Sequence, residues 1–203
     1  MIKKLMALLI ALTTAFTLAA CGNDNSQDGH GGSASKIAEN EDFNQADVDF
    51  ATEMIQHHAQ ALSMVDLIEG KQVSPELTAL AEQIRMAQGP EIETLVDWLQ
   101  DWSQPVPETM RDHANAHGDG DMEMDSDMPG MMSAEEMEAL GAAQGPAFER
   151  MWLEMMIEHH EGAIEMAKAE KDDGEFADAV ELADTIITAQ DDEIGQMKTM
   201  LGS

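Results

Sequence analysis

The sequence predicts an all-α protein, a four-helix bundle built from two duplicated helical hairpins that a long Met- and His-rich linker joins. Three observations carry this prediction. The chain aligns with itself without a gap at a shift of 102 residues. Within each copy, apolar residues alternate in steps of four and three, the spacing of one face of a helix. Composition agrees: of 203 residues 43% are hydrophobic but only 4% aromatic, tyrosine is absent and methionine reaches 18. Such a mix suits a helical core and is poor in the residues that sheets favour.

The elements follow in order. Residues 1–20 read as a signal peptide, in which Lys3 and Lys4 precede an apolar run over 5–18 that is too short for a comfortable membrane span. The run ends in Leu18-Ala19-Ala20-Cys21, which resembles the lipobox of a bacterial lipoprotein precursor. That resemblance implies lipidation at Cys21, a membrane anchor, and a place on the periplasmic or cell-surface side of a bacterial membrane. Cys21 is the only cysteine, so the body of the protein carries no thiol for an oxidising compartment to damage. Residues 21–42 are rich in Gly, Asn, Asp and Ser and read as a flexible tether.

The first hairpin is expected over 43–103. A helical pattern runs from 44 to 69 and stops at Gly70. Ser74-Pro75 then supplies an N-cap followed by proline at the first helical position, opening a helix that runs to about 102. Residues 104–132 hold Pro105, Pro107, Pro129 and many acids, and read as the linker. Ser133-Ala134-Glu135-Glu136 is a capping box that opens a short helix and the second hairpin, 133–203. Long helices over 146–171 and 175–201, with a turn at 172–174, complete it. One hairpin alone cannot bury both of its apolar stripes, so 43–203 is expected to form one bundle domain.

Charge limits the partners. Without residues 1–20, which hold Lys3 and Lys4 and no acid, the chain carries 8 basic and 41 acidic residues, a net charge of −33. Phosphate needs cations opposite it, which excludes nucleic acid. An acidic surface keeps a protein soluble and draws cations.

The repeat places chemistry in register. Phe50 falls on Trp152, Met54 on Met156, His57-His58 on His159-His160, and Met64 on Met166. Phe50, Met54, His57, Ala61 and Met64 form the interior stripe of the first helix. Trp152, Met156, His159, Ala163 and Met166 repeat it. A methionine lies one turn before each interior histidine and another two turns after it, while His58 and His160 lie about 100° round. A buried imidazole must find partners for its ring nitrogens. Gln88, Glu91, Gln190 and Glu193 stand on the partner helices to supply them in a purely structural role. Alternatively, a metal supplies them. Two His-His pairs in register, each flanked by methionine, favour the metal, because thioether plus imidazole is a soft donor set suited to Cu(I), with Ag(I) as its mimic. The candidate ligands are Met54, His57, His58, Met64, Met156, His159, His160 and Met166.

The linker adds a second cluster: Met110, His113, His117, Met122, Met124, Met128, Met131 and Met132. No apolar periodicity surrounds these methionines, so packing explains them poorly and capture of the same ion explains them better. The alternating acids from Asp119 to Asp127 do not make a calcium loop, since Met124 stands where an EF-hand needs glycine.

The segment Trp152 to Lys168 (WLEMMIEHHEGAIEMAK), with its counterpart Phe50 to Val65 and the run Met128-Pro129-Gly130-Met131-Met132-Ser133, resembles domain-of-unknown-function family 305. The resemblance covers 43–203. It implies a ferritin-like four-helix bundle, often exported, with copper binding in some periplasmic members. It thereby implies Met54, His57, Met64, Met156, His159 and Met166 as ligands. The copies differ at Ala59-Gln60, where the second has Glu161-Gly162, so two equal sites are not expected.

Other readings stand beside this one. A ferritin-like di-iron enzyme needs Glu three residues before a histidine, yet Met54, Ile55, Met156 and Ile157 occupy those positions. A zinc hydrolase needs His-Glu-x-x-His, but Ile164 replaces the second histidine. A surface-anchored interaction protein without metal stays open, though it accounts poorly for the linker methionines. The expectation is therefore a non-enzymatic Cu(I) protein without an organic cofactor, for sequestration or for transfer to another copper-handling protein.

Overall fold

Five helices make up the framework of the described residues. The structure, a computed structural model, describes residues 42–109 and 128–202, all within one unit spanning Ser33–Ser203. The helices are α1 (Gln45–Asp66), α2 (Pro75–Asp101), the short α3 (Ala134–Ala142), α4 (Gly145–Asp173) and α5 (Ala177–Leu201), and no strand occurs among the described residues. None of these helices is long and apolar enough to cross a membrane. The fold is the expected all-α four-helix bundle, with α3 as an added short helix.

Local chemistry sets the ends. Asn44 caps α1 by accepting from the backbone of Ala46 and Asp47, and Asp47 returns a bond to the Asn44 N–H. Ser74 caps α2 ahead of Pro75, and Ser133 and Glu136 form the predicted capping box of α3. The last helix begins two residues later than its periodicity suggests, because the Asp47 carboxylate holds the Glu175 and Phe176 N–H groups in the preceding turn.

Each hairpin packs its own two helices together, and the hairpins meet mainly through α1 against α4. Two apolar cores result. One gathers Met64, Leu77, Ile84, Leu140, Trp152 and Met156. The other gathers Phe50, Met54, Leu95, Leu99, Met166 and Ile186. The first joins the C-terminal half of α1 to the N-terminal half of α4, and the second joins the opposite halves, so the two histidine-bearing helices run antiparallel. Between the cores lies a polar layer in which His57, His58, His159 and His160 are all fully buried.

Candidate metal centre

The layer is built from equivalent residues that meet. His57 and His159 are related by the repeat, and their rings lie 3.7 Å apart at their centroids with planes inclined by 39°. Equivalent side chains touch only where a two-fold axis passes between them, so this contact marks the pseudo-symmetry centre of the bundle. The neighbouring pair is arranged alike in each copy. His58 Nε2 lies 2.7 Å from Glu91 Oε2, and His160 Nε2 lies 2.8 Å from Glu193 Oε2. Both glutamates come from the partner helix of the same hairpin.

These contacts assign the tautomers. A carboxylate at this distance accepts, so Nε2 donates in His58 and His160. The Pro129 carbonyl, 3.1 Å from His57 Nε2, can only accept, so that nitrogen donates too. In the neutral ring each Nδ1 then carries a lone pair. The Nδ1 atoms of His57, His58 and His160, and both ring nitrogens of His159, are buried without a hydrogen bond. Leaving one such group unpaired costs about 1–3 kcal/mol. A soft metal ion would satisfy them, and a carboxylate behind the far nitrogen is the usual support of a metal-bound histidine. The residues present therefore fit such an ion.

Electrostatics keep the rings ready. Burial, then repulsion from His58 and His160, pulls His57 down to about 3 against the Pro129 carbonyl. His159 is held well below the ordinary histidine range by burial and by His57. Burial lowers His160 as well, outweighing Glu193. A metal ligand must be deprotonated, and these three rings are neutral near pH 7.

The methionines fall into a grouping that the linear motif does not reveal. Met54 and Met64 lie ten residues apart on one helix, about 15 Å of rise, so one ion cannot take both. The antiparallel crossing instead puts Met54 with Met166 in one core and Met64 with Met156 in the other. Each side of the histidine layer thus holds one thioether from each hairpin. Met54, Met64 and Met156 are fully buried, and Met166 is 7% exposed. Among the described residues, no three of His, Cys, Asp and Glu converge with metal-holding geometry.

The linker reaches this layer. Met110, His113, His117, Met122 and Met124, like Cys21, lie outside the described residues. Residues 128–132, by contrast, are packed onto the bundle. Gln60 grips Met132 twice, donating to its carbonyl and accepting from its N–H, both at 2.7 Å. Pro129-Gly130 lies against Gly162, where any Cβ would overlap the Pro129 carbonyl. Met128 and Met132 are buried, and Met132 belongs to the first apolar core. Packing thus accounts for these two, a role the absence of periodicity had argued against, because their partners lie on other segments. Met131 stays half-buried. Gln60, Gly162 and Pro129 were not among the candidate site residues, and their packing together was not expected. The available signal was the mismatch of Gln60 with Gly162 between the copies: one linker crosses a two-fold axis once, so it meets different residues on each side.

Comparison with known proteins agrees with this architecture. Residues 47–201 match the family described as domain of unknown function (DUF305). A DUF305 protein from Streptomyces coelicolor is 29% identical, covers 77% of this chain and 92% of its own, and superposes with a TM-score of 0.66. A DUF305 fragment from Deinococcus radiodurans is also 29% identical over 78% of this chain and 97% of its own, with a TM-score of 0.65. CopM in its Cu(I)-bound form is 32% identical, over 76% of this chain and 94% of CopM, with a TM-score of 0.60. CopM structures with Cu(II), with Ag and without metal match similarly. No curated protein matches the chain. With the family matched across most of its length, the chain belongs to DUF305.

Proposed function

We propose that this protein is an extracytoplasmic metal-binding protein that holds Cu(I), with Ag(I) as a mimic, in the buried His/Met layer, for sequestration or transfer rather than for catalysis. The observation that carries this reading is the set of four buried imidazoles, each with at least one ring nitrogen left without a hydrogen bond, between the buried methionines of the two cores. Likeness to CopM, which is known in Cu(I)-, Cu(II)- and Ag-bound forms, supports the choice of ion. Likeness to the Streptomyces coelicolor protein, described as a candidate secreted protein, supports export. Lipid attachment at Cys21 and capture by Met110, His113, His117, Met122, Met124 and Met131 belong to the same proposal. In it, the linker gathers the ion and the bundle retains it. Soft, uncharged donors favour Cu(I) over the harder Cu(II).

The test is a Cu(I) competition titration against a chromogenic chelator, on the chain beginning at residue 22. The parent runs beside a His57→Ala/His159→Ala variant and a deletion of residues 110–127. Tight binding that the double substitution abolishes supports the bundle site. Loss only on deletion moves the site to the linker. No binding by the parent ends the copper reading.

A further inference from the structure

The two ends of the bundle are equivalent by the repeat, yet Met166 at one end borders a cavity while Met64 at the other is sealed off, since the cavity of about 400 Å³ there is lined by Ser74, Glu149 and Leu153 and reaches neither Met64 nor Met156. At the sealed end Trp152 fills the space over Met64 and donates from Nε1 to the Met64 carbonyl at 2.9 Å. Lys71 donates to the Gly141 and Ala143 carbonyls, fastening the C-terminus of α3 beside it. At the other end Phe50 replaces Trp152, and Met166, the counterpart of Met64, borders a cavity of about 320 Å³. Its other walls invert the chemistry of the sealed end. Glu53 stands where the other copy has Met155, Asp49 where it has Met151, Glu170 where it has Ile68, and Asp173 where it has Lys71.

One of these acids is buried beside Asp47. Glu170 is 2% exposed, and neither of its carboxyl oxygens makes a hydrogen bond. Leaving a polar group unpaired in the core is costly, and Ile68 shows that the fold accepts an apolar residue at this position. Pro129 also lines the cavity, and its carbonyl is the group that meets His57 Nε2, so the cavity adjoins the histidine layer.

We infer that this cavity is the port and outer binding site through which a soft univalent metal cation reaches Met166 and then the His57/His159 layer, while the Met64 end stays closed. The inference rests on the metal-binding reading above and adds the route and the order of occupation. The exposed carboxylates of Asp49, Glu53, Glu165 and Asp173 raise the local cation concentration by focusing the field in a cleft. Hard oxygen donors hold a soft ion weakly, so it passes to the Met166 thioether. The space accommodates a hydrated ion, each water needing about 30 Å³. The only bonds exchanged are those from the ion to oxygen, of water and carboxylate, for one to the thioether sulfur, with no change of oxidation state.

The experiment follows silver uptake by the full chain carrying methyl-¹³C methionine, in chloride-free buffer. The Met166 methyl signal, assigned with Met166→Leu, is expected to respond at lower silver than those of Met64 and Met156. Phe50→Trp, which places at this end the residue found at the other, is expected to slow uptake roughly tenfold with unchanged final stoichiometry. Glu53→Gln/Glu165→Gln changes two exposed residues of the cavity wall, and so serves if the tryptophan variant misfolds. It is expected to slow uptake roughly tenfold at low salt and to remove most of the salt dependence. Met64 or Met156 responding first overturns the port, as does parental uptake speed in the folded variants. A parent that takes up no silver overturns the metal-binding reading itself, which separates the two failures.

Discussion

His57 and His159, equivalent residues of the duplicated hairpin, stack against each other 3.7 Å apart in the centre of the bundle. Two imidazoles this close and this buried cannot both be charged. The unfolded chain binds protons at its histidines below about pH 6.5, whereas His57 in the folded chain resists protonation until about 3. The unfolded state holds more protons in that window, so stability is lost as pH falls from about 6.5 towards 3. The limiting slope is about 1.4 kcal/mol per pH unit for each such histidine. Urea unfolding between pH 7 and 5 measures it, and His57→Ala is expected to flatten the dependence. An unaltered slope in that variant contradicts the assignment.

Glu170 acts with the opposite sign. Burial, then the Asp47 carboxyl beside it, raises Glu170 to about 8. The folded state therefore keeps a proton that the unfolded state releases above about 4.5, and stability is lost as pH rises through 8. Glu170→Gln is expected to raise the melting temperature at pH 8 and to leave it unchanged at pH 5. Equal effects at both pH values would show that the carboxyl does not titrate as described.

Residues 128–132 depend on Gly162. Gly162→Ala is expected to destabilise the fold by about 1–3 kcal/mol, the usual cost of overpacking, and to free Met128 and Met132 for oxidation by peroxide. Gln60→Ala leaves the Met132 N–H and carbonyl unpaired, with a loss of about 1–3 kcal/mol. Urea midpoints read both. A Gly162→Ala protein as stable as the parent would mean that the linker does not pack where it is described.

Trp152 guards Met64. Trp152→Phe removes the indole bond to the Met64 carbonyl and is expected to lower stability by about 1 kcal/mol or more. Peptide mass spectrometry after mild peroxide should find Met64 protected in the parent and oxidised in the variant. Met166, at the open end, should oxidise in both.

Glu91 and Glu193 orient the rings they touch. Glu91→Gln/Glu193→Gln is expected to weaken Cu(I) binding by about 10–100-fold, the usual effect of removing a carboxylate behind a ligating histidine, with helical circular dichroism unchanged. Unchanged affinity in the chelator titration would place His58 and His160 outside the site.

Much of this protein is determined by local pattern. Steps of three and four specify the helices, Asn44, Ser74 and Ser133 specify where three of them begin, and the 102-residue self-match specifies two hairpins. The donor types, His57-His58 and His159-His160 with methionine on either side, are equally visible in the sequence. How those donors combine was decided only by the tertiary structure. Met54 shares a core with Met166 rather than with Met64 because α1 and α4 run antiparallel, and periodicity within a helix carries no information on the direction of its neighbour. Gln60 and Gly162 read only as a difference between the copies until Met132, 72 residues away, is seen to lie on Gln60 and Pro129 on Gly162. The open and sealed ends likewise follow from side chains of one hairpin covering the other. Local propensity specifies the elements, whereas burial between distant segments decides which chemistry they share.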